Sequence, residues 1–155
     1  MDFETPPPRL LNTNLTQRVL TVFFAVYNEL GTGFPEFVYR RAMVLALKAA
    51  GMLVQEDAAL PVWFRGERLA TFRADLLIDS LVLVEVKAAP ELDDGHRVQV
   101  LNYLKASDIE IGLLLNFGMS ADFKRLVCDN VRKRRQRNPE DAPDVVPPVS
   151  VLRSS

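Results

Sequence analysis

The sequence carries one cysteine, Cys128, one histidine, His96, and one tryptophan, Trp63, in 155 residues. A single cysteine excludes an internal disulfide and gives no sign of an oxidising compartment. One cysteine with one histidine also leaves too few ligands for a zinc site within one chain. Charge of one sign is missing as well: 19 Lys and Arg stand against 20 Asp and Glu, a formal net charge of −1. Any contact with nucleic acid must then come from a local basic patch rather than from the overall field. No uninterrupted apolar run reaches the ~18 residues of a membrane span, and the N-terminus shows no charged-then-apolar secretion signal. There is no internal repeat. These absences point to a cytoplasmic enzyme or binding module.

What is present is ordinary for one globular domain, with 48% apolar and 25% charged residues. Residues 1–12, with Pro6-Pro7-Pro8, read as an extended N-terminal arm, residues 13–137 as the domain, and residues 138–155 as a proline-rich acidic tail. Within that tail, Val149 to Leu152 could dock as a short strand. A first helix runs from the cap candidates Thr13, Asn14 and Thr16 to about Leu30, with Leu15, Val19, Val22, Phe23 and Val26 at helical spacing. Gly31-Thr32-Gly33 ends it, and Pro35 opens a second helix that stops near Gly51. In that helix Val38, Ala42, Leu45 and Ala49 form one apolar stripe, with Glu36, Tyr39, Arg40 and Met43 on an adjoining face.

Leu53 to Phe64 reads as extended, with a turn at Arg65-Gly66. A central hairpin, Phe72 to Lys87, follows, and then a helix capped by Asp93 or Asp94 that directs Val98, Leu101 and Leu104 inward. Gln99 and Tyr103 share another of its faces. Ile109 to Phe117 is a buried strand, and a last helix spans Ser120 to about Gln136. The order ααβββαβα implies an α/β domain, a mixed central sheet flanked by helices on both faces.

Three ionisable residues, Asp75, Glu85 and Lys87, interrupt the apolar hairpin. A three-residue turn over Asp79, Ser80 and Leu81 sets Ile78 opposite Val82 and Asp75 opposite Glu85, with Arg73 and Lys87 next along the ladder. Both carboxylates then share one face, whereas a one-residue slip would separate them. Two crowded acids repel, and burial makes each costly. A divalent cation resolves both problems with oxygen ligands; a plain Glu–Lys or Asp–Arg ion pair at a sheet edge is the other resolution. His96 reads as a helix-start residue and Cys128 as helix packing. Trp63 and Phe64 read as core or edge-strand residues. The Arg132–Arg137 run serves either as a solvated helix end or as a phosphate patch.

Gly33-Phe34-Pro35-Glu36-Phe37-Val38-Tyr39 reads G-x-x-E-x-x-Y. Arg73-Ala74-Asp75 … Glu85-Val86-Lys87 follows, then Gln99 to Leu104, then the strand ending Leu114-Leu115-Asn116-Phe117. This succession resembles the GxxExxY proteins of the PD-(D/E)XK nuclease superfamily. The resemblance implies a restriction-endonuclease-like core, with Asp75 and Glu85 as ligands of Mg²⁺ or Mn²⁺. It further implies that Lys87 orients or activates water, Glu36 completes the acidic site and Gln99 assists. Tyr39, Arg40, Arg73 and Tyr103 are supporting or phosphate-contact candidates. The superfamily's proline is replaced by Ala74. The expected function is metal-dependent hydrolysis of DNA or RNA by a chain that can pair into a homodimer. The alternatives are a non-cleaving nucleic-acid or protein binding module on the same fold, and a structural domain held by internal salt bridges.

Overall fold

The computed structural model describes residues 13–133. The N-terminal arm, the Arg134–Arg137 part of the basic run and the tail lie outside them. Helix α1 (Thr13–Leu30) buries Leu15, Val19, Phe23 and Val26 along one stripe. Helix α2 (Glu36–Ala49) follows Pro35, whose fixed φ suits a helix start. It ends in a Schellman arrangement, in which the Gly51 N–H bonds to the Lys48 carbonyl and the Met52 N–H to the Leu47 carbonyl. Gly51 adopts the φ of +90° that this stop demands.

Strand β1 (Val54–Phe64) turns at Arg65-Gly66 into β2 (Glu67–Ile78), which turns at Asp79-Ser80 into β3 (Val82–Lys87). Helix α3 (Asp94–Lys105) then crosses over to β4 (Ile111–Phe117), parallel to β3. Strand β5 (Ala121–Val127) pairs antiparallel with β4, and a short 3₁₀ turn covers Asn130–Arg132. The five strands lie in sequence order. One core, centred on Phe23, Tyr39, Met43, Val84 and Leu113, joins the sheet to α1 and α2. A second, with Leu60, Ala74, Leu83, Val100, Leu104 and Leu114, joins the opposite face to α3. Every residue of β4 is buried, as expected for a strand covered on both faces. The chain is a mixed α/β domain with helices on both faces of a mixed sheet.

Three expectations need correction. Where a helix over Ser120–Gln136 was expected, the chain forms β5. Ala121 and Phe123 pack toward the first core and Leu126 toward the second, a period-two pattern. Pairing of β5 also covers what would otherwise be a bare edge of the fully apolar β4. On α2 the buried stripe is Tyr39, Met43, Val44 and Leu47, while Leu45 is 67% exposed, because the helix is turned to set Tyr39 and Met43 into the core. On α3, Val100, Tyr103 and Leu104 point inward and Val98 is 52% exposed.

That last rotation follows from Gly112 of β4. A Cβ built there would lie 2.6 Å from the Val100 Cγ1, so the missing side chain admits α3 against the sheet. Gly112→Ala should therefore destabilise the fold by roughly 1–3 kcal/mol through overpacking. Adding Val100→Ala should recover part of that loss in a denaturant midpoint. Strictly additive losses would show that this contact does not set the helix position.

Candidate active site at the β2–β3 fork

The β2–β3 ladder runs Ile78–Val82, Leu77–Leu83 and Leu76–Val84, the register expected from the turn. Continued by one pair, it would set Asp75 opposite Glu85, but the backbone ladder stops there. In its place the Asp75 N–H donates to Glu85 Oε1 at 2.7 Å, and the Val86 N–H donates to Asp75 Oδ2 at 2.8 Å. Each carboxylate thus takes a hydrogen bond from the opposite strand's backbone. Beyond this point β2 stays paired with β1, and β3 continues beside β4 through Glu85–Leu114 and Lys87–Asn116. The sheet forks, and the acids stand in the fork.

Alternation of side chains switches there too. Leu76 and Ile78 pack on the α1/α2 side, yet Ala74 packs on the α3 side, two residues earlier. On β1, Asp57 stands between the pairs Glu56–Leu76 and Ala58–Ala74, abreast of Asp75, and has a φ of +49°. The hairpin rotates about this position, which places Asp75 between the two faces of the sheet. Its Oδ1 faces α2, where Arg40 Nη1 lies 3.4 Å away.

On the α3 side, Lys87 Nζ is 3.9 Å from Glu85 Oε2 and donates to Gln99 Oε1 at 2.8 Å. Gln99 Nε2 in turn donates to the Tyr103 hydroxyl at 3.1 Å. The i,i+4 spacing of Gln99 and Tyr103 lets one helix face hold the ammonium. The chain leaving β3 is fixed by Asn116, buried in β4, whose side chain accepts from the Ala89 N–H and donates to the Ala89 carbonyl.

Electrostatics follow from this crowding. Glu85 is only 3% exposed, and burial, then the Asp75 charge beside it, push its carboxyl up to about 8 from an ordinary 4.5. The Asp75 N–H and Lys87 oppose the shift without cancelling it. Burial and the Glu85 charge also raise the Tyr103 hydroxyl.

Asp75, Glu85, Lys87, Gln99 and Tyr103 are thus brought together, with Arg40 on the Asp75 side. Three other candidates stand apart. Tyr39 is fully buried: its hydroxyl donates to the Gly31 carbonyl at 2.6 Å and its ring stacks on Phe117 at 4.3 Å, so it braces the α1–α2 turn and meets no phosphate. Arg73 is not next along the β2–β3 ladder but pairs with Ala59 of β1, because the fork has already parted the strands. Glu36 is half-buried one turn before Arg40 and makes no hydrogen bond or ion pair with a described residue. Asn116 lies in the Leu114–Phe117 stretch, where nothing local in the sequence marks a strand amide as a clamp. His96 completes a capping box with Asp93, a helix-start role. Cys128, half-buried after β5, packs beside the second core rather than on a helix.

The residues fit a hard cation. Two carboxylates face one another in a buried fork, and the raised Glu85 reports the electrostatic strain that a cation would relieve. No group of three or more His, Cys, Asp or Glu converges among the described residues. A pair of acids is what Mg²⁺ commonly takes from a protein, since it retains several waters.

A family model for the PD-(D/E)XK nuclease superfamily matches residues 13–126. The chain belongs to that superfamily, and its five-stranded mixed sheet is consistent with a restriction-endonuclease-like core. No curated protein matches significantly. Among solved structures the chain is similar to the one titled "Crystal structure of SSO0001", at 17% identity and a TM-score of 0.48. The match covers 79% of this chain and 62% of that one, so this chain spans less than two thirds of it. No helix among the described residues is long and apolar enough to cross a membrane.

The raised Glu85 has a measurable consequence in metal-free buffer. The folded protein keeps this proton up to about pH 8, whereas the unfolded chain releases it near 4.5. The stability contributed by the neutral acid is therefore fully present below pH 4.5 and is lost as pH rises through 8. Between those limits wild type should lose stability relative to Glu85→Gln by up to about 1.4 kcal/mol per pH unit. Parallel stability-versus-pH curves for the two proteins would contradict the assignment.

Proposed function

We propose that the chain is a metal-dependent phosphodiesterase acting on nucleic acid in the cytoplasm. The G-x-x-E-x-x-Y segment from Gly33 to Tyr39 supports placing it in the GxxExxY branch of its superfamily. The observation that carries the reading is the fork itself. Two mutually facing carboxylates end the β2–β3 ladder, with an ammonium held beside one of them by a dedicated glutamine.

Asp75 and Glu85 would hold Mg²⁺ or Mn²⁺ through their carboxylates. Bound there, the ion would lower the pKa of a water and polarise a phosphoryl oxygen. Lys87 supplies positive charge where negative charge grows during attack on phosphorus, and its hydrogen bond to Gln99 fixes the ammonium in place. Arg40, a third exposed, stands on the other side of Asp75, close enough to meet a phosphate oxygen. Glu36, one turn earlier on the same helix, is the acid that could join the site from the helix side.

A purely structural reading has one observation in its favour. Three of the four carboxylate oxygens already have a close partner within the chain, and the fourth lies near Lys87. Cation dependence separates the two readings. Mg²⁺ or Mn²⁺ at ten- to a hundredfold above Kd should stabilise wild type by roughly 1–3 kcal/mol at fixed ionic strength. Asp75→Asn, lacking both the repulsion and a ligand, should gain little from the ion, and it should not cleave. Lys87→Met should retain the ion-induced stabilisation yet lose on the order of a hundredfold in cleavage of mixed DNA and RNA substrates. An equal response of wild type and Asp75→Asn to the ion would leave the fork a structural salt-bridge network.

A further inference from the structure

Beyond the fork, β1 and β2 continue as a two-stranded ribbon, Ala58–Phe64 against Glu67–Ala74, with no pairing to β3. The ribbon begins where Asp75 ends the three-stranded region. Its α3 side is anchored through Ala58, Leu60, Phe72 and Ala74. Cross-strand partners share a face, so the register fixes what the other side presents. Arg73 lies opposite Ala59, Thr71 opposite Pro61, and Arg68 opposite Trp63.

Arg68 and Arg73 are five residues apart, an odd spacing that in a regular strand would send them to opposite faces. A register shift between Val62 and Trp63 leaves Leu69 as an extra residue on β2. This bulge turns Arg68 onto the face of Arg73, as bulges characteristically re-aim side chains. Glu67, the acid of the ribbon, pairs with Phe64 and is left on the opposite face. The face away from α3 therefore carries two cations and no acid. Both arginines are exposed; Arg73 donates to the Asp57 carbonyl, and Arg68 makes no ion pair or hydrogen bond with a described residue. At about 3.3 Å per residue, with the bulge taking up one residue, the two arginines are spaced along the strand by on the order of 13 Å. Arg73 is two residues from Asp75, and Arg40 lies at the fork on the same side.

We infer that this ribbon is a phosphodiester-backbone contact that carries the substrate into the fork, with Arg68 and Arg73 as its phosphate ligands. The inference rests on the nuclease reading above and adds where, outside the acid pair, the strand is held. In a chain of net charge −1, a cationic face created by a bulge gives the local basic patch that such a substrate requires.

The test measures binding of labelled single-stranded and duplex oligonucleotides over a range of salt, with EDTA present so that nothing is cut. Arg68→Gln/Arg73→Gln should weaken binding about tenfold or more and reduce the salt slope by one to two. Arg68→Lys/Arg73→Lys should keep most of both, since phosphate contact needs charge. The strand type that loses more affinity identifies the form the ribbon holds. Wild-type affinity and salt slope in the Gln pair would overturn the inference while leaving a cleaving wild type, and hence the nuclease reading, intact. Absence of any wild-type binding or cleavage would remove both. A dimer in sedimentation that Leu69→Asp dissociates, with the Gln pair binding as wild type, would assign the ribbon to self-association instead.

Discussion

Two carboxylates take over from the backbone where the β2–β3 ladder ends, and the site depends on that substitution. A regular pair at Asp75 and Glu85 would have sealed the sheet and left two repelling acids against a helix. Instead each acid accepts a backbone N–H from the opposite strand, which satisfies a donor that the lost ladder would have orphaned. The exchange costs the fold a desolvated acid, visible in the raised Glu85. In return the strands part beyond the acids, β2 staying with β1 and β3 with β4.

The surrounding elements hold that fork to one geometry. The absence of a side chain at Gly112 lets α3 approach closely, and this brings Gln99 onto Lys87. Asn116 clamps the chain as it leaves Lys87, and Tyr39, stacked on Phe117, fixes the turn from which α2 carries Arg40 toward Asp75. None of these groups is a candidate metal ligand. Each fixes a neighbouring group of the fork, so its displacement by about an ångström would disturb how Asp75, Glu85 and Lys87 are aligned.

Much of this was legible in the sequence because the signals were strong and local. The turn after Ile78 set the hairpin register, the caps and glycines bounded the first three helices, and the charged interruptions in an apolar hairpin marked the site. What escaped depended on distant partners. Ala121 to Val127 contains good helix formers, but the open edge of β4 decided its state. Leu45 and Val98 fit a stripe by spacing, and the choice of stripe was made by how each helix meets the sheet. Arg73 followed the ladder by arithmetic, but the ladder stops before it. The half-turn at Asp57 and the bulge at Leu69 carry no local signature, since neither position is a glycine.

The central claim, that Asp75 and Glu85 form one cation site, is tested most directly by proton release during Mn²⁺ titration at pH 7. A neutral Glu85 must ionise to accept the metal, so binding to wild type should release close to one proton, measured in buffers of differing ionisation enthalpy. Glu85→Gln should bind weakly and release none. Tight binding by wild type without proton release, or the same release from Glu85→Gln, would contradict the account.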